Sequence, residues 1–152
     1  MKNALTTGDR LLRWGNQGET NCMFCRYGVE DRDHLFFCCS YSKRIWKEIM
    51  KLCGLDDPPT CWEDVIEEGM QHWRKKILKA YVCRLALGST VYHIWKNRNE
   101  LKHGTHPLSE DHIIQRIKWE VRSGVISKGS FKKTRGNETI CCRWRIDIRI
   151  LV

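Results

Sequence analysis

Cys22-Met23-Phe24-Cys25 is followed, eight residues on, by His34-Leu35-Phe36-Phe37-Cys38-Cys39. A Cys-x2-Cys pair lets two thiolates from one tight turn reach a single ion, and a His-x4-Cys pair returns two more ligands from the far side. Three sulfurs and one imidazole suit a tetrahedral, structural Zn²⁺ with no position left for a water. The candidate ligands for one structural zinc are therefore Cys22, Cys25, His34 and Cys39. Cys38 competes for the fourth place, and the four-residue gap after His34 favours Cys39. The eight residues between the pairs carry Gly28 and the charged run Glu30-Asp31-Arg32-Asp33, so this loop is expected to turn in solvent. The chain has nine cysteines, an odd number with no regular framework, and its start lacks an apolar targeting segment. Reduced thiols in an intracellular protein are the expectation, rather than disulfides.

Outward from this loop the pattern is helical. Residues 4 to 14 offer Leu5, Leu11, Leu12 and Trp14 to a short helix. After Cys39, Ser40 is a candidate N-cap for a helix to Cys53 that Gly54 closes, with Tyr41, Ile45, Trp46, Ile49 and Leu52 at helical spacing. A ligand directly before that helix would fix its start. A break at Asp56-Asp57-Pro58-Pro59 precedes a Thr60/Glu63 capping box and a short acidic helix through Glu68. Gly69 is expected to separate it from a long helix over about 72 to 102, and Ser109 to cap a last one through about Ser127. Beyond Lys128 the periodicity fails, and the alternation of Ile146, Ile148 and Ile150 leaves residues 139 to 152 open to a strand or to disorder. The expected architecture is mainly α: a small CCHC knuckle-like loop packed on a helical bundle, with a basic C-terminal tail. The expected units are 1–53 (the metal module), 60–127 (the helical region) and 128–152 (the tail).

Charge is distributed unevenly around a net +9. Residues 54 to 70 hold six acidic side chains and no Lys or Arg, whereas residues 71 to 103 hold eight basic and one acidic, and the tail seven basic against two acidic. Basic stretches beside aromatic side chains attract a phosphate backbone, although the acidic segment could equally be neutralised by Arg74, Lys75 and Lys76. No run of 18 apolar residues is present to span a membrane.

The run Leu5-Thr6-Thr7-Gly8-Asp9-Arg10-Leu11-Leu12-Arg13-Trp14-Gly15, then Cys22-x2-Cys25, Arg32-Asp33-His34-Leu35-Phe36-Phe37-x-Cys39 and Ser42-x-Arg44-x-Trp46, resembles the zinc-binding domain of plant non-LTR retrotransposon reverse transcriptases. The likeness is close over residues 4 to 46. It continues loosely through Ile94-Trp95-Lys96-x-Arg98-Asn99 and Asn137-x3-Cys141-x2-Trp144. It implies a segment downstream of the polymerase in a long polyprotein, the same four ligands with a non-cysteine in the place of Cys38, and residence in the nucleus. It also implies a tryptophan-rich helix ahead of residue 4, so the domain is expected to be truncated at its start.

A closed zinc site performs no chemistry; it pins a small surface, often against single-stranded nucleic acid. Phe24, Tyr27, Phe36 and Phe37 are the available stacking groups, with Phe36 the favoured core residue. Arg26, Tyr27, Arg32, Lys43 and Arg44 are the candidate contacts to RNA or to single-stranded or target DNA, with Lys47 as an addition. The competing reading is a non-catalytic piece that docks on the polymerase region of the same polyprotein through Trp73, Trp95, Trp119 and Trp144. Catalysis is not expected: the one adjacent carboxylate pair, Asp56-Asp57, lies in a linker, and no Gly-rich phosphate loop is present.

Overall fold

Ile45, Trp46, Ile49 and Met50 recur every three to four residues and form the buried face of α2 (Ser40–Leu52). This computed structural model describes residues 5–15 and 18–152. Ahead of α2 lie α1 (Gly8–Arg13) and a single π-helical turn, His34–Cys38. After it come α3 (Trp62–His72), α4 (Leu78–Lys102), α5 (Glu110–Lys128), α6 (Arg135–Trp144) and a 3-10 turn at Ile148–Ile150. Among the described residues there is no strand, only isolated bridges between Asn21 and Val29 and between Phe131 and Leu151. The start expected for the first helix, Ala4, lies outside the described residues.

The centre of the molecule is made by α2, α4 and α5, which pack on one another, and α6 closes one side against α4 and α2. Ile94 of α4 and Ile113, Ile117, Val121 and Val125 of α5 are buried there with the apolar face of α2. Leu35, Phe36 and Phe37 are all fully buried, where two of the three, Phe36 among them, were expected to pack inward. The Phe37 ring lies 5.0 Å from Trp46 and 5.8 Å from Trp62, and the Trp46 indole N–H donates to the Pro59 carbonyl at 2.8 Å. Buried aromatic area of this kind carries the largest share of core energy per residue. It fastens the turn that holds His34 and Cys39 to the helical core.

Several boundaries follow the sequence signals. Ser109 caps α5 by accepting from the His112 N–H, and Gly54 and Gly104 take positive φ after α2 and α4. Others differ for identifiable reasons. Helix α3 runs through Gly69 to His72, and the side chain that accepts the Trp62 N–H at its start is Asp33 from the metal loop, not Thr60. Helix α4 starts at Leu78, because residues 73–77 form a turn that buries Trp73. The C-terminal segment forms α6, correcting the expectation of a strand or a disordered tail. Thr134 caps it by accepting from the Asn137 N–H, and Asn137, Ile140, Cys141 and Trp144 share its buried face.

Gly8 explains one element of the N-terminal motif. A Cβ at this position would lie 2.0 Å from the Thr20 carbonyl oxygen, so only glycine lets α1 pass beneath the strand-like entry to the metal loop. Gly8→Ala is expected to cost about 1–3 kcal/mol through forced backbone displacement. Its thermal midpoint should fall by several degrees, and an unchanged midpoint would contradict the close approach.

Candidate metal centre

The Cys22–Gly28 segment folds as a tight knuckle. The Arg26 N–H donates to the Cys22 carbonyl at 2.8 Å, the Cys22 N–H donates to the Gly28 carbonyl at 3.1 Å, and Arg26 and Gly28 both adopt left-handed φ. This reversal brings Cys22 and Cys25 to one side. From the other side the π-helical turn closes with the Cys39 N–H donating to the His34 carbonyl at 2.7 Å, and the His34 N–H donates to the Asp31 carboxylate, also at 2.7 Å. The four ligand atoms of Cys22, Cys25, His34 and Cys39 consequently lie within 4.8 Å of one another. Cys22 Sγ is 3.7 Å from Cys39 Sγ, and Cys25 Sγ is 3.2 Å from His34 Nε2. Among the described residues, this is the group of His, Cys, Asp and Glu side chains gathered closely enough to hold a metal ion.

Local electrostatics favour one thiolate in the buried Cys22–Cys39 pair. The Cys22 thiol donates to Cys39, and this holds the Cys39 thiol down to about 5 while raising Cys22. Backbone N–H groups of Tyr41 and Ser42, in the first turn of α2, favour the Cys39 thiolate further, and those of Phe24 and Cys25 do the same for Cys22. Zinc satisfies such a cluster by replacing the thiol protons. Cys22 and Cys39 are buried, while Cys25 and His34 are partly exposed. The donor set, its convergence and its lack of an open position fit one structural Zn²⁺. Cys38 points away, its thiol donating to the Thr60 carbonyl at 3.3 Å, so Cys39 is the residue that joins the cluster.

The charged run before His34 does not turn in solvent as expected. Glu30 and Arg98 form an ion pair with side-chain exposures of 1% and 4%. Arg98 donates to Glu30 Oε1 from Nη2 at 2.6 Å and from Nε at 2.9 Å, to Oε2 from Nε at 3.3 Å, and to the Thr6 carbonyl, while its guanidinium stacks on Trp95. The Glu30 backbone is shared out as well: its N–H donates to the Thr20 carbonyl and its carbonyl accepts from the Asp9 N–H. One pair therefore ties α1, the metal loop and α4 together. The sequence signal was an arginine inside the helical pattern of α4, within the Ile94–Asn99 motif.

The five expected nucleic-acid contacts are placed unequally. Tyr27 is 80% exposed at the tip of the knuckle. Lys43 is exposed on the first turn of α2, with no carboxylate bonded to it among the described residues. Arg26 forms an exposed pair with Glu19 at 2.7 Å. Arg32 is bound to Glu63 at 2.6 Å over the Trp62 ring, and Arg44 bridges Glu110 and Asp111. Of the other stacking candidates, Phe24 lies flat on Tyr41, with ring centres 4.2 Å apart, and Phe36 and Phe37 are core.

Residues 1–46 match the family described as zinc-binding in reverse transcriptase. The matched stretch contains all four clustered side chains and Gly8, so family and geometry indicate the same zinc-binding segment. Comparison with curated proteins and with solved structures returned no match.

Proposed function

We propose that this chain is a non-catalytic, zinc-stabilised module from the region downstream of the polymerase in a plant non-LTR retrotransposon polyprotein, acting in the nucleus on RNA or single-stranded DNA. The observation that carries this reading is Tyr27, an aromatic ring held almost fully in solvent by a knuckle whose backbone is fixed at both ends. Such a ring is an open platform for a base, and stacking contributes about 1–3 kcal/mol per base. Lys43 supplies positive charge for phosphates, and Arg26 does so once it leaves Glu19. Arg32 and Arg44 would have to exchange exposed carboxylate partners for phosphate, which surface ion pairs permit because each contributes about 1 kcal/mol or less.

Binding of a fluorescent oligonucleotide tests this. Log affinity should fall linearly with log salt, by roughly 0.7 per phosphate contact in a single strand. Tyr27→Ala should weaken binding by about five- to one-hundred-fold while zinc content stays at one per chain. A wild-type interaction that is undetectable, or indifferent to salt, would remove the reading.

A second reading, docking on the polymerase region, is favoured by one observation. Trp119 is 68% exposed and faces a groove between α4 and α5 that Tyr92 also lines. The other tryptophans expected on such a surface do not serve it: Trp73 and Trp144 are buried and Trp95 lies under Arg98.

A further inference from the structure

A cleft of about 510 Å³ opens between the start of α4, the α2–α3 turn at Gly54 and the start of α6. Four cationic side chains line it, Lys76, Lys79, Lys132 and Arg143, and no Asp or Glu does. None of the four is ion-paired among the described residues. By contrast, Arg32, Arg44 and Arg98 are all held by carboxylates. The cations also converge. Arg143 Nη1 and Lys79 Nζ lie 2.5 and 3.6 Å from the point where a Cβ on Gly54 would be, so they can be no further apart than those two distances combined. Gly54, at φ +79°, leaves the space into which both reach. Like charges brought this close repel unless an anion sits between them.

The backbone adds to this field. Helix α4 begins here with Ile77 as N-cap, no side-chain cap and no acidic residue in its first turn, and Lys76 and Lys79 flank its positive end. The first turn of α6, from Thr134 to Asn137, faces the same cleft. Lysines at an uncapped helix N-terminus are unfavourable on their own and favourable beside a bound anion. Phe131 and Ile77 give the cleft an apolar wall suited to a sugar or a base.

We propose that this cleft binds the phosphodiester backbone of a single-stranded nucleic acid, with Lys79 and Arg143 gripping one phosphate and Lys76 and Lys132 flanking it. The site is separate from the metal loop, and its assignment rests on the nucleic-acid reading above. Together the two would give one strand a stacking contact at Tyr27 and a charge contact at the cleft.

The test uses the full zinc-loaded chain and a labelled 20-nucleotide oligouridylate in polarisation titrations over a salt series. Lys79→Gln with Arg143→Gln should lose roughly tenfold or more in affinity, and the slope of log affinity against log salt should shrink by about 0.7, the loss of one phosphate contact. Lys79→Arg with Arg143→Lys, which keeps both charges, should bind within about twofold of wild type, and an equal loss in this variant would overturn the charge assignment. Lys96→Gln with Arg116→Gln removes the same charge from the α4–α5 face. If it weakens binding as much as the cleft variant, the effect is general net charge and the proposal fails. If the cleft variant binds like wild type while Tyr27→Ala does not, the proposal fails and the metal-loop reading stands. If wild type binds neither the oligonucleotide nor inorganic phosphate, both fall, whereas phosphate competing against an intact salt slope supports the cleft.

Discussion

Arg98→Met should destabilise the zinc-loaded protein by about 3–5 kcal/mol, a large share of the roughly 5–15 kcal/mol that holds a domain folded. The reason is the charge left behind. Glu30 is fully buried, and Arg98 supplies the hydrogen bonds at 2.6, 2.9 and 3.3 Å that satisfy its carboxylate. Burial of an ion pair is costly to begin with, and removing one partner forfeits the compensation while keeping the desolvation. Arg98→Lys should fall between wild type and the methionine variant, because an ammonium keeps the charge but cannot present the planar fork to Glu30 while reaching the Thr6 carbonyl and covering Trp95. Glu30→Gln with Arg98→Met should cost less than the two single changes added together, since neither leaves the other unpaired. Urea midpoints measured at saturating zinc decide the matter: an Arg98→Met midpoint within about 1 kcal/mol of wild type would mean that the pair is not the fastening between the metal loop and α4.

That pair also marks where sequence reading stopped. The four clustered side chains were legible because their chemistry is local: the spacing from Cys22 to Cys39 encodes a turn, a return and a helix start. The start of α5 and the end of α2 were legible for the same reason, through Ser109 and Gly54. Glu30 and Arg98 are 68 residues apart, and each read alone is a solvated charge. Only the fold makes them one group. Helix α6 was hidden differently. Its buried face alternates with Arg and Thr, Gly136 sits in its first turn and reads as a breaker, and it ends on Arg145 in the left-handed region rather than on glycine. The looser C-terminal likeness did point to it, since Asn137, Cys141 and Trp144 are the buried positions of one helical face. Likewise Asp33 and Arg32 looked like loop polarity, yet one receives the first N–H of α3 and the other stacks on its first residue, Trp62.

Zinc removal should have the other large effect, and its reach should be uneven. Structural zinc contributes about 10–16 kcal/mol of apparent binding energy in small finger peptides, where folding and binding are one event. Here the loop on the Cys22 side buries little besides Cys22 and Glu30, whereas the turn on the Cys39 side is anchored by Leu35, Phe36 and Phe37. Chelation should therefore melt the knuckle and loosen the first turn of α2 while α4 and α5 remain folded. In hydrogen exchange, the amides of Cys22 and Arg26 should lose protection together, and those in the middle of α5 should keep theirs. Native mass spectrometry should find one zinc per chain in wild type and in Cys38→Ser, and none in Cys22→Ser, Cys25→Ala or His34→Ala. Cys39→Ala should be the most damaging of the ligand changes, because Cys39 is buried, stands at the N-cap of α2 and faces the N–H groups of Tyr41 and Ser42. Zinc should be retained at neutral pH and released as pH falls, because protons compete for every thiolate and for the imidazole. Retention of zinc by Cys22→Ser together with its loss from Cys38→Ser would place the ion elsewhere, and the fixed knuckle that holds Tyr27 outward would lose its cause.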